Sequence, residues 1–198
     1  MLRNYLTLPF TALPHGTGYA QPTQPALDRV QLDSPATDAM TDLARVAAVI
    51  VLAGDTVDEA HRRMVQRGVR LLLVVDQDRK VMGVITADII LGEAPVQVAV
   101  RHGIHRDEVL VRDVMSPCAS LQVLDFEQVR SAKVGHIVAT LKQAGRQHVL
   151  VVERIEKNPI RLRGIFSTTQ IVRQLGMAIQ AVSVANTFAE IEAQLGHG

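Results

Sequence analysis

RGVRLLLVVD (67–76) and AGRQHVLVVE (144–153) are two versions of one segment, and reading them together decides the fold. Each has a glycine after a polar stretch, then an apolar run ending on a carboxylate. Working outward, Met40-Thr41 is answered 75 residues later by Met115-Ser116, and Thr56 at the same interval by Ser131. Gly68 and Asp76 are answered at 77 by Gly145 and Glu153, and Gly83 at 81 by Gly164. Anchors that keep their order across two small insertions mark an internal duplication. Two copies of one supersecondary unit would bury each other's open faces and leave a cleft between them.

Each copy reads as strand, helix, strand, strand, helix. In the first, AAVIVL (47–52) is a short buried strand. A helix over 55–68 is opened by Thr56 with Glu59 and closed by Gly68. RLLLVVD (70–76) and VMGVIT (81–86) form an antiparallel pair across the turn QDRK, making a three-stranded sheet, and a second helix begins near Ala87. The second copy predicts a strand near 120–124, a helix from Ser131 to Ala144, then HVLVVE (148–153) and RGIFS (163–167) around a longer turn with Asn158-Pro159. Five of eight prolines fall at or before Pro35, so residues 1–35 read as an extended arm, covering its own domain or a partner. The expected organisation is an arm at 1–35, repeat one with its connecting segment at 36–109, repeat two at 110–176, and an extension at 177–198 holding a helix over 187–195. The fold class is α/β in the α+β sense, with two βαββα repeats related by a pseudo-two-fold.

Composition narrows the function. Hydrophobic residues are 47% of the 198 and aromatics 3%, so the core is aliphatic. A net charge of +1 supplies no electrostatic ground for nucleic acid or a membrane surface. Cys118 is the only cysteine, which rules out an intrachain disulfide. Pro9 and Pro14 interrupt the N-terminus before an apolar run develops, so a cytoplasmic protein is expected. His102 and His105 with Asp107 and Glu108 have metal-like residue types, but their spacing is loose for zinc and no metal site is expected. G-x-S-x-G, Walker, H-E-x-x-H and G-x-G-x-x-G patterns are missing, and no enzyme is expected.

The repeats resemble a tandem pair of CBS domains, a Bateman module of the stand-alone bacterial type. DAMTDL (38–43) and RDVMSP (112–117) carry the likeness as module openers, together with the Gly-terminated helices, LLVVD and VLVVE, and the turns GVIT (83–86) and GIFS (164–167). The resemblance implies an adenosine-containing ligand such as AMP, ADP or ATP in the inter-module cleft, no further cofactor, a homodimer, and an unidentified protein partner that reads the ligand state. It points to Thr86 and Ser167 as hydroxyls at the ligand, residues that plain helix N-capping would equally require. The family's ribose-binding Asp is replaced by Ile89 in copy one, with Asp88 one residue early, and by Gln170 in copy two. Arg70, Arg146 and His148 stand where the family meets phosphates, and Met40, Thr41, Met115, Ser116 and Pro117 where it builds cleft walls. Two function classes follow: a nucleotide-sensing regulatory module, and a ligand-free interaction module whose clefts have degenerated.

Overall fold

The computed structural model describes residues 29–154 and 160–176. The arm up to residue 28, the Asn158-Pro159 turn and the helix expected over 187–195 lie outside the described residues. The first half runs through β1 (Thr41–Asp42), β2 (Ile50–Leu52), α1 (Val57–Arg67), β3 (Leu71–Val75), β4 (Val81–Thr86) and α2 (Ala87–Leu91). Connecting helices α3 (Ala94–His102) and α4 (Val111–Val114) lead to β5 (Ser116–Pro117). The second half continues with β6 (Val123–Asp125), α5 (Phe126–Ser131), α6 (Val134–Ala144), β7 (His148–Glu153), β8 (Arg161–Ser167) and α7 (Thr168–Gln174).

The sheets have four strands each, not three, in the orders β2-β3-β4-β5 and β1-β8-β7-β6. The fourth strand of each comes from the opener of the other half: Thr41 pairs with Ile165, and Ser116 with Val84. The exchange continues in two isolated bridges, Pro35 to Lys133 and Leu110 to Thr56. Periodicity within each half could not show this, because the added strands are only two residues long. They cover the outer edges of β4 and β8, which would otherwise present unpaired backbone groups.

The period of two in the strands assigns their faces. In β3, Leu72 and Val74 enter the core of the first half with Val51, Met64, Ile85 and Ile90. Leu71 and Leu73 point the other way and meet Val84 and Leu150 in a cluster shared by the two sheets. In β7, Val149 and Val151 join the second core with Phe166, Leu141 and Ile171, which also takes Ala36, Ala39 and Met40 from the first opener. A chain of aliphatic residues buried on both faces therefore becomes two cores and one inter-sheet seam. Full burial of a Leu or Val side chain contributes about 1.5–3 kcal/mol.

The helix signals hold in copy one. Thr56 accepts from Glu59 N–H at 3.2 Å, Glu59 accepts from Thr56 N–H at 2.8 Å, and Gly68 ends α1 at φ 62°. In copy two the helix begins at Val134, not Ser131. Four more residues separate β6 from α6 than β2 from α1, and the longer connection holds α5, whose Ser131 hydroxyl bonds the Gln128 carbonyl oxygen. The first strands are also shorter than expected, Ile50–Leu52 and Val123–Asp125. Gly145 repeats the left-handed ending at φ 60°, a conformation with no steric cost for glycine.

Candidate functional site

Where β3 and β7 begin, the seam opens into two clefts related by the internal repeat. The first, about 320 Å³, is lined by Thr86, Asp88 and Ile89, by Ser116 from the strand paired with β4, and by Arg146 and His148 of the second half. The second, about 390 Å³, is lined by Ser167, Thr169 and Gln170, by Thr41 from the strand paired with β8, and by Val69 and Arg70 of the first half. Both sizes fall at the lower end of small-molecule sites, which run to about 300–1,000 Å³. Each cleft takes its strand-to-helix turn from one half and its facing wall from the other, so neither half makes a site alone.

The polar groups are committed in different ways. Thr86 Oγ1 accepts from Ile89 N–H at 3.4 Å and so caps α2. Ser167 precedes α7 without a side-chain cap bond. In the second cleft Thr41 Oγ1 donates to Gln170 Oε1 at 2.8 Å, which ties the first opener to α7. The Gln170 amide N–H groups keep their donor capacity. Arg70 reaches across to Asp88, Nη2 to Oδ1 at 2.7 Å, with both side chains about half exposed. Asp88 lines the first cleft and Arg70 the second, so this ion pair spans them.

His148 and Leu71 line both clefts. They occupy equivalent positions 77 apart, and His148 stands where copy one places an aliphatic residue on the seam. Burial drives its pKa down from 6.5 to about 4; the Asp88 carboxylate opposes that shift and the Arg70 guanidinium adds to it. The imidazole is therefore neutral near pH 7, a donor and an acceptor but not a cation.

Thr86, Asp88, Ser116, Arg146 and His148 are thus gathered at the first cleft, and Thr41, Arg70, Ser167 and Gln170 with His148 at the second. Met40, Met115 and Pro117 line neither. Met40 fills the second core, Met115 packs on the first, and Pro117 pairs with Gly83 at the sheet edge. The linings also hold Ser120, Gln122 and Thr169, which the motifs do not single out. Thr169 could have been found from the duplication, since it stands 81 residues after Asp88. Ser120 and Gln122 fall in the stretch that the sequence reads as a strand, ahead of the observed β6.

His105 N–H donates to Glu108 Oε2 at 2.8 Å, so that carboxylate caps a short turn. Among the described residues no three His, Cys, Asp or Glu side chains are grouped to hold a metal ion. No described helix is long and apolar enough to cross a membrane.

The family model for the CBS domain matches residues 33–95. No curated protein matches the chain. Among solved structures, an uncharacterized conserved protein from Pyrococcus horikoshii is 18% identical with a TM-score of 0.53, over 77% of this chain and 100% of that one. A CBS-domain containing protein from Agrobacterium tumefaciens is 18% identical with a TM-score of 0.52, over 72% and 94%. CBSX2, a CBS-pair protein known from Arabidopsis thaliana, was solved in complex with AMP and is 23% identical with a TM-score of 0.51, over 71% and 94%. Identities this low establish shared fold. Residues 33–95 thus match the CBS domain, and solved CBS-domain proteins share the fold of the described chain.

Proposed function

We propose that the protein is a non-catalytic regulatory module that binds an adenosine-containing ligand, AMP, ADP or ATP, in the clefts between its repeats and acts as a homodimer. The observation that carries this reading is the pair of related clefts. Each combines apolar strand walls with hydroxyl, amide and guanidinium groups drawn from both halves. Apolar walls suit a purine ring, and a few convergent polar groups suit ribose and phosphate. The AMP complex of CBSX2 supports the choice of ligand class. A ligand that touches both halves favours one arrangement of them over another, and a partner that distinguishes the arrangements receives the signal.

Calorimetric titration with AMP, ADP, ATP and S-adenosylmethionine tests the reading, after carried-over nucleotide has been removed. Saturable binding is expected. Ser167→Val is expected to weaken binding at the second cleft by about 1 kcal/mol or more, and Thr86→Val to do so at the first. Absence of binding by all four compounds would overturn the proposal. The second reading, a ligand-free interaction module, is favoured by the internal pairing of Thr41 with Gln170 and of Arg70 with Asp88, which already occupies polar groups at the clefts.

A further inference from the structure

Both clefts abut the same wall, formed by Leu71 and His148. Across it lies one ion pair, with its cation facing the second cleft and its carboxylate facing the first. An anion entering the second cleft would draw on Arg70, which a 2.7 Å bond holds to Asp88. Both partners are about half exposed, so the pair exchanges partners at little cost. Once Arg70 turns to the ligand, Asp88 remains on the wall of the first cleft as an uncompensated carboxylate, and a second anion there meets repulsion. The other cations at hand are Arg146 on the first cleft and Arg173 on the second. Neither joins the ion pair.

Resting on the nucleotide reading above, we infer that the Arg70–Asp88 pair couples the two clefts negatively for anionic ligands, so that a phosphate-bearing ligand in one weakens the binding of another in the second. Asp88 competes with ligand phosphate for Arg70, and a neutral nucleoside escapes that competition. Linkage makes the effect reciprocal: a bound anion in the first cleft, drawn to Arg146 and opposed by Asp88, strengthens the hold of Asp88 on Arg70. The asymmetry comes from this chain's own residues. Copy two has Gln147 and Thr169 where copy one has Arg70 and Asp88, so no ion pair can form at the equivalent place.

The test is a double-mutant cycle read by calorimetry, with AMP and adenosine as probes, on wild type, Asp88→Asn, Arg70→Gln and the double variant. For wild type, two AMP steps are expected, the second about fivefold or more weaker than the first. Asp88→Asn is expected to tighten AMP by about fivefold, to merge the two steps and to change adenosine by a smaller factor than AMP. Arg70→Gln is expected to weaken AMP and to cancel the gain from Asp88→Asn. If Asp88→Asn tightens AMP equally in the Arg70→Gln background, the carboxylate acts by its field alone and the coupling through the ion pair is overturned. If Asp88→Asn leaves AMP unchanged while AMP still binds, the coupling falls and the nucleotide reading stands. If neither AMP nor adenosine binds any of the four proteins, both fall together.

Discussion

The two halves agree in backbone and differ at the seam. Both have a parallel strand pair followed by an antiparallel one, a register shift at the same place, Val74/Val75 and Val151/Val152, and a helix ended by a left-handed glycine. At the inter-module face the copies part. Leu71 is matched by His148, Arg70 by Gln147, Asp88 by Thr169 and Ile89 by Gln170. The duplicated backbone therefore sets where two clefts lie, and the unduplicated side chains make them chemically distinct. Burial in the two cores constrains the first, whereas Arg70 and Asp88 at the clefts are about half exposed and can diverge.

The strongest way to break this equivalence is at its most conservative position, the glycine in the outer strand of each hairpin. A Cβ at Gly83 would lie 2.2 Å from the backbone carbonyl oxygen of Ser116 in β5. One at Gly164 would lie 2.3 Å from Met40 Sδ, the end of a flexible side chain. Backbone that is hydrogen-bonded into a sheet cannot yield as a thioether can. Gly83→Ala is expected to cost about 3 kcal/mol, the upper end for overpacking, and Gly164→Ala about 1 kcal/mol. Urea unfolding of the two variants checks this; equal losses would show that the openers sit on the two sheets with the same compliance.

Restoring the symmetry at the seam gives the next effect. His148 has a folded pKa near 4 against 6.5 ordinarily, so the folded state binds fewer protons than the unfolded chain between those values. Its contribution to stability is complete above pH 6.5 and is lost as the pH falls through 6.5 toward 4. The loss amounts to about 2–3 kcal/mol at 1.36 kcal/mol for each tenfold change in affinity for the proton. His148→Leu, which installs the residue type of copy one, should remove that part of the acid sensitivity. Unfolding measured at pH 7 and at pH 4.5 for both proteins checks it. Parallel pH profiles would mean that the imidazole is as well solvated in the fold as outside it.

These cases also show what the sequence could and could not disclose. The duplication was legible because buried strands and helix ends restrict residue type: LLLVV and VLVV must be apolar on both faces, and Gly68 and Gly145 must accept positive φ. The turns at Thr86 and Ser167 were legible for the same reason. The crossing of β1 and β5 into the opposite sheets was not, because two-residue strands carry no periodicity and pair over more than thirty residues of chain. Helix α5 was hidden because Thr56 and Ser131 keep the 75-residue interval of Met40 and Met115, which places the start of the long helix at Ser131 and leaves no room for another before it. At the clefts, Arg70 and Asp88 were recognisable as charged groups near a candidate site, yet their mutual bond depends on how two turns face each other. Ser120 and Gln122 had no pattern to mark them.

The smallest difference between the halves lies at the start of their long helices. In copy one Thr56 and Glu59 exchange two bonds, so the first turn of α1 has a reciprocal cap. At the matching place in copy two Lys133 N–H donates to His136 Nδ1 at 3.0 Å, while the Lys133 side chain reaches out to Asp33 at 2.6 Å and caps nothing. One bond replaces two. The charge differs as well: α1 has Asp58 and Glu59 in its first turn, and α6 has no acidic residue there. A carboxylate near the N-terminus interacts favourably with the helix dipole. Thr56→Ala is therefore expected to cost about 1 kcal/mol, in the usual range for losing an N-cap, and His136→Ala about half as much. Native-state hydrogen exchange resolves the comparison by helix. Thr56→Ala should speed exchange in the first turn of α1 and leave α6 as it was, and His136→Ala should do the reverse to a smaller degree. Equal protection losses in both helices after either change would mean that the two halves open as one unit, with the seam and not the caps setting the stability of each.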